Sequence, residues 1–170
     1  MKQAAQNSIA DIKANLTIFT DGSTSGTQEN GGAGFTIRMS DGEVVEEASY
    51  PAGKWCSSFS AECVAFLKAL TWIRENEVPA RETVLICSDS MSLAQSLDKG
   101  SWKDPDPWIK MIKEELHQLA LRVTLLWVPS HCDLEGNERA DELANMGTEM
   151  EQTETIINHK IVKAKIKNRK

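Results

Sequence analysis

Residues Thr83–Cys87 read TVLIC, a short run without charge and without polar alternation. Such a run, bounded by Pro79 before it and Asp89 after it, is expected of a strand buried on both faces. A strand of that kind requires cover on both sides of its sheet, and the chain supplies helices for it. From Ser58 to about Glu75 the apolar residues Phe59, Cys63, Phe66 and Leu70 fall at i, i+4, i+7 and i+11, the stripe of a packed helix. The architecture expected is therefore α/β, with helices on a mixed sheet.

The elements on either side follow the same logic. Residues 1–15 show weak periodicity and read as a loose N-terminal leader. Leu16–Thr20 is a β-prone run ending at Asp21-Gly22. The segment SGTQENGGAG reads as a glycine-rich loop, with Gly31, Gly32 and Gly34 favouring a tight reversal. Phe35–Met39 and Glu43–Tyr50 have strand character and are joined through Asp41-Gly42, a strong hairpin signal. After TVLIC, Asp89 and Ser90 stand where a helix is capped, and Leu93 and Leu97 carry that helix to Gly100. A connector from Trp102 leads to a helix marked by Trp108, Ile112, Glu115 and Leu119. Arg122–Val128 is a fifth strand, Pro129–Gly136 a loop, and Glu138–Met146 a last helix. The reading is one domain over 16–150, followed by a basic tail over 151–170.

Charge narrows the possible partners. The net charge of −6 averages two unequal parts. Residues 159–170 carry six Lys and Arg and no acid, while the other 158 residues hold 13 basic and 25 acidic side chains, for −12. An acidic body repels a polyanion unless its acids are gathered around cations. The tail reads either as a solvated terminus or as a contact for nucleic acid. No apolar run approaches the roughly 20 residues of a membrane helix, and the N-terminus has no secretory pattern. Four cysteines, at spacings of 7, 24 and 45, form no CxxC pair and read as buried reduced thiols, which places the chain in a reducing compartment.

Four carboxylates then stand out. Asp21 follows the first strand, Glu62 lies in the apolar helix, Asp89 follows TVLIC, and Asp141 belongs to the last helix. Each has an ordinary explanation: a turn residue, exposed helix positions, a cap. Glu62 resists it, because it lies three residues after Phe59 and four before Phe66, on the face that should be buried. A buried carboxylate without a partner is unfavourable by several kcal/mol on the order of magnitude. Asp21 and Asp89 both sit at strand ends, where open sheets form their crevice. Four hard oxygen donors converging there suit Mg²⁺ or Mn²⁺ rather than zinc. Two such ions can clamp the attacking and leaving oxygens of a phosphodiester. His131, in a loop ten residues before Asp141, is placed to shuttle a proton or is a plain surface histidine. His117 and His159 read as surface residues. Trp55, Trp102 and Trp108 are either packing residues or stacking contacts for nucleic acid.

The segments TDGS, SAECVAFLKAL, CSDS and VPSHCDLEGNERADELA, in that order, closely resemble the type 1 ribonuclease H family. They look most like the ribonuclease H domains of retrotransposon reverse transcriptase polyproteins of the non-LTR type. The resemblance spans roughly Leu16 to Thr148. It implies a ribonuclease H-like α/β fold with a five-stranded mixed sheet whose first three strands are antiparallel. It implies Asp21, Glu62, Asp89 and Asp141 as metal-binding carboxylates, two Mg²⁺ ions with Mn²⁺ as a substitute, His131 as the mobile catalytic histidine, and Glu138 as an aid to product or metal release. Ser57 and Ser58 would contact the substrate, with Ser23 and Asn137 beside them. The implied reaction is hydrolysis of the RNA strand of an RNA–DNA hybrid, leaving 3′-hydroxyl and 5′-phosphate ends. A reverse transcriptase domain of the same polyprotein is the implied partner, and an intracellular monomer, in the cytoplasm or nucleus, the implied setting. Two departures from the family stand out. Phe59 replaces a polar side chain near the phosphate pocket, and Leu97–Trp108 lacks the basic protrusion of the cellular bacterial enzymes. Another nuclease of the same superfamily is disfavoured by the Ser-His loop and the NERAD helix. A non-catalytic scaffold domain is disfavoured by the presence of all four carboxylates.

Overall fold

A computed structural model describes residues 1–26, 30–98 and 106–152. The basic tail over 159–170, the connector at Trp102 and the helix end at Gly100 lie outside the described residues. The elements run α1 (Lys2–Ile12), β1 (Leu16–Thr24), β2 (Asn30–Met39), β3 (Val44–Lys54), α2 (Ser58–Glu75), β4 (Thr83–Ser88), α3 (Met91–Asp98), α4 (Pro107–Gln118), β5 (Arg122–Trp127) and α5 (Glu135–Thr148). The five strands form one sheet in the order β3-β2-β1-β4-β5. β1 pairs antiparallel with β2 and β2 with β3, whereas β4 runs parallel to both β1 and β5. The fold expected from the sequence is the fold observed.

β4 lies inside the sheet, and Val84 through Cys87 are fully buried, as a strand covered on both faces must be. Its side chains alternate between two cores. Val84 and Ile86 join Ile18, Phe35, Phe66, Leu70 and Ile112 under α2 and α4. Leu85 and Cys87 join Phe19, Val128, Leu134 and Ala140 on the opposite face. Ser57 caps α2, its Oγ accepting from Ser60 N at 3.1 Å. Past α2, Val78 N donates back to Ile73 O and Glu77 takes φ 49°, so the helix closes before Pro79.

Two stretches differ from the sequence reading. The expected loose leader contains an eleven-residue helix, α1. Ala5, Ile9 and Ile12 pack on Phe19 and Leu85 of the second core, and Asn15 ties the segment to Thr83 by hydrogen bonds in both directions. The polar residues around that narrow stripe mask the period. The second difference is the glycine run, which forms no reversal: Gly31, Gly32 and Gly34 are buried strand residues of β2. At Gly32 and Gly34 the missing side chain admits α5, and at Gly31 it admits Cys56. A Cβ on Gly34 would stand 2.5 Å from Ala144 N and 2.7 Å from the carbonyl carbon of Leu143, and one on Gly32 would meet the α5 backbone as well. On the other face Gly22 meets the backbone of Ala61 and Glu62 in the same way. Both helices therefore rest on the sheet backbone to backbone.

Gly34→Ala should accordingly destabilise the protein by about 1–3 kcal/mol, since backbone cannot turn aside as a side chain can. A urea midpoint equal to that of the wild type would contradict the contact.

Candidate active site

The strand register places the first carboxylate. Asp21 lies opposite Gly34 across the β1–β2 ladder, so its side chain points to the α5 face at the spot where Gly34 lets that helix descend. Asp141 on α5 comes within hydrogen-bonding contact of it. Gly22, on the opposite face, brings the second turn of α2 against β1, and Glu62 accepts a hydrogen bond from the Gly22 backbone while contacting the Asp21 carboxyl. Asp89 follows the last residue of β4, the parallel neighbour of β1. Asp21, Glu62 and Asp89 each bring a carboxylate oxygen to within 4.8 Å of the others. Three of the four expected carboxylates, Asp21, Glu62 and Asp89, thus share one cluster, and Asp141 adjoins it at Asp21.

Neighbouring groups fix Asp89. Ser90, not Asp89, caps α3, its Oγ accepting from Leu93 N at 3.2 Å, which leaves the Asp89 carboxylate free for the crevice. Asn137 Nδ2 donates to Asp89 Oδ2 at 3.3 Å, and the indole N–H of Trp127 donates to the Asp89 backbone carbonyl at 3.2 Å. Asn137, expected among the substrate contacts, is only 3% exposed: its Nδ2 holds Asp89 and its Oδ1 has no hydrogen-bond partner. Neither Asn137 in this role nor Trp127 is evident from spacing. The signal that was present, glycines at Gly32 and Gly34 on one strand face, marks close approach rather than a turn.

The remaining expected residues surround the cluster. His131 is exposed on the loop after β5, near enough for its charge to act on Asp89. That loop is pinned by Cys132 and Leu134, both buried, with Cys132 Sγ donating to Pro129 O. His131 and Asp133, on either side of Cys132, take φ values of 52° and 59° and are exposed. Glu138 lies on α5 one turn before Asp141, half-buried. Ser23 Oγ donates to Asn145 Oδ1 at 2.6 Å. Ser57 and Ser58 are exposed at the start of α2.

Electrostatics shows what the cluster lacks. Burial, and then the charge of Glu62, push the Asp21 carboxyl up to about 11. Burial likewise lifts Glu62 to about 7, and Asp89 is raised by burial and by Asp141, against the opposing pull of the Asn137 amide. Glu62 Oε2 is buried without a hydrogen-bond partner. Carboxylates crowded and desolvated in this way require protons or a cation. All the converging atoms are hard oxygens, and no sulfur or imidazole takes part in the cluster, a donor set that fits a divalent ion of the magnesium type.

The fold and this site define a class: α/β proteins that hold hard cations at the carboxyl ends of adjacent strands. The profile of the RNase H family matches residues 13–149. Ribonuclease HI of Synechocystis sp. is 30% identical over 154 residues, covering 80% of this chain and 89% of that one. Among solved structures, LC11-RNase H1 in complex with an RNA/DNA hybrid matches 79% of this chain and 96% of its own, with a TM-score of 0.65 at 23% identity. The foamy viral protease-reverse transcriptase in complex with an RNA/DNA hybrid matches at a TM-score of 0.66 and 21% identity, over 81% of this chain and 20% of its own. The chain belongs to the ribonuclease H family.

A carboxyl whose folded pKa is raised stabilises the fold fully below its unfolded value, near 4, and loses that contribution as pH rises through the folded one. The metal-free protein should therefore melt at a higher temperature at pH 5 than at pH 8. Added Mg²⁺ should restore much of the difference at pH 8 by binding the ionised cluster. A melting temperature that rises from pH 5 to pH 8 without divalent ions would contradict the protonated cluster.

Proposed function

We propose that the protein is an endonuclease that hydrolyses the RNA strand of RNA–DNA hybrids and leaves 3′-hydroxyl and 5′-phosphate ends. The observation that supports this reading best is the convergence of Asp21, Glu62 and Asp89, with an unpartnered buried oxygen on Glu62, in a chain of the ribonuclease H family. Asp21, Glu62, Asp89 and Asp141 would hold the cations, for which two Mg²⁺ ions are the proposal and Mn²⁺ the substitute. When bound, those ions supply activation of the attacking water and neutralisation of charge at the phosphodiester.

The other residues divide the remaining tasks. His131, exposed beside Asp89, carries a proton between solvent and the reacting oxygens. Asn137 and Trp127 keep Asp89 turned into the crevice. Glu138, one turn from Asp141, serves release of product or ion. The hydroxyls of Ser57, Ser58 and Ser23 read the minor-groove face of the hybrid, where 2′-hydroxyls distinguish RNA from DNA.

The setting we infer is a retroelement polyprotein in which a reverse transcriptase domain contributes affinity. Two features support it: the segment Leu97–Trp108 carries no basic run, and the six basic residues of the chain end offer a substitute contact. The four cysteines are all free and buried, in keeping with a reducing compartment, cytoplasm or nucleus, and a monomer accounts for the site. Among the described residues, no helix is long and apolar enough to cross a membrane.

Labelled hybrid, single-stranded RNA and duplex DNA should be incubated with the protein in Mg²⁺ or Mn²⁺. Cleavage confined to the RNA strand of the hybrid, and abolished in Asp89→Asn, is the expected result. No cleavage by folded protein with either ion would leave a scaffold domain. His131→Ala should lower kcat by about 10²–10⁴-fold with KM little changed.

Truncation after Gln152 tests the basic tail. This boundary keeps the Gln152 amide, whose Oε1 accepts from Gly53 N at 2.8 Å. Hybrid affinity should fall at 50 mM salt and match the full chain near 200 mM, since those contacts are ionic. Equal affinities at low salt would remove the tail from the account.

A further inference from the structure

Among the described residues, five that are not glycine adopt positive φ: Lys13, Trp55, Glu77, His131 and Asp133. Lys13 and Glu77 follow helix ends, where this conformation is ordinary. His131 and Asp133 belong to the loop beside Asp89. Trp55 is different. It precedes a helix, and a bulky aromatic is among the side chains least suited to φ 57°. The same indole is 76% exposed, more than any other aromatic side chain among the described residues. Trp108, by contrast, is 2% exposed and belongs to the core.

Its neighbours hold it in place. Gly53 is buried and its N–H is taken by Gln152, while Cys56 is 4% exposed and packs where Gly31 has no side chain. The backbone on either side is thus anchored, and the strained turn between the anchors presents the indole to solvent. Lys54 pairs with Asn30, and Asn30 is four strand positions from Gly34, the residue opposite Asp21. Trp55 therefore stands roughly 15–20 Å from Asp21, at least four strand positions along the sheet and two strands across it. It is also next to the α2 terminus that carries Ser57 and Ser58. A strained, outward-facing residue so placed is the kind that function, rather than packing, retains.

We propose that Trp55 is a substrate-binding residue whose indole face packs against a sugar of the bound hybrid, some nucleotides away from the cleaved bond. This rests on the functional reading given above. The bases of a hybrid are paired and stacked, but its wide, shallow minor groove exposes sugar edges to a flat apolar plate. The body of the chain, at −12 without the terminal basic segment, gains little from attraction to phosphate outside the cation site. An apolar contact supplies affinity that salt does not screen.

The test compares wild type, Trp55→Phe, Trp55→Ala and Trp55→Gly by anisotropy of a labelled hybrid in metal-free buffer, by steady-state cleavage, and by thermal unfolding. Trp55→Gly is the informative variant, because glycine adopts the backbone conformation without strain and a structural role predicts no gain from it. The expected result is a three- to tenfold weaker affinity for Trp55→Ala and Trp55→Gly, a matching rise in KM, and kcat within twofold, with the size set by roughly what an aromatic contact contributes. The loss should be equal at 50 and 200 mM salt, Trp55→Phe should recover most of it, and Trp55→Gly should melt no lower than wild type. Unchanged affinity in Trp55→Gly, beside active wild type, overturns the inference alone. So does a loss that vanishes at high salt or that Trp55→Phe fails to recover. A wild-type protein that neither binds nor cleaves the hybrid overturns the functional reading and this inference with it.

Discussion

Mutual repulsion among carboxylates in a desolvated crevice is the constraint around which this protein is built. Asp21 contacts Glu62 and Asp141, Asp89 is near, and burial removes the water that would screen them. Without cations the arrangement survives by keeping protons, which is why Asp21 and Glu62 are pushed far above the usual carboxylate range. The native fold is thus less favourable, in the absence of metal, at the neutral pH where the chemistry would run than in mild acid. Glu62→Gln, which removes a buried charge, should leave a metal-free protein at least as stable as the wild type.

The fold holds these groups together by backbone contact rather than by long side chains. Gly22 brings α2 to β1 from one face, and Gly34 with Gly32 brings α5 to β2 from the other. The register that sets Asp21 opposite Gly34 then places a carboxylate where two helices reach the sheet. The parallel pairing of β1 with β4 adds Asp89 at the same end. Short acidic side chains suffice because the backbones are already close, and short side chains lose little freedom when they are ordered. Two exposed side chains on unusual backbone, His131 and Trp55, are the ones proposed to meet the substrate.

Much of this was legible in the sequence, for reasons particular to the residues. TVLIC announced a strand buried on both faces. Glu62, on an apolar stripe, announced a charge that packing alone does not justify. The Asp-Gly at residues 41–42 announced the hairpin between β2 and β3, and Gly42 does take a positive φ there. What stayed hidden depends on tertiary partners. Glycine at residues 32 and 34 has the same letter in a turn as in a strand that must admit a helix, and only α5 decides between them. In α1 the packed stripe is Ala5, Ile9 and Ile12, too narrow to stand out against eight mostly polar or small neighbours. Asn137 is expected among the substrate contacts only through the family resemblance, beside Glu138. The structure turns it inward, to an aspartate 48 positions away in sequence.

The central claim is that the acidic crevice is a cation site made by these side chains. Titration of Mn²⁺ into the protein, with free ion read by electron paramagnetic resonance, addresses it without any substrate. The wild type should bind Mn²⁺ saturably, Mg²⁺ should displace it, and folded Glu62→Gln should bind with at least tenfold lower affinity. Mn²⁺ binding by Glu62→Gln at wild-type affinity, or none by folded wild type, would contradict the account.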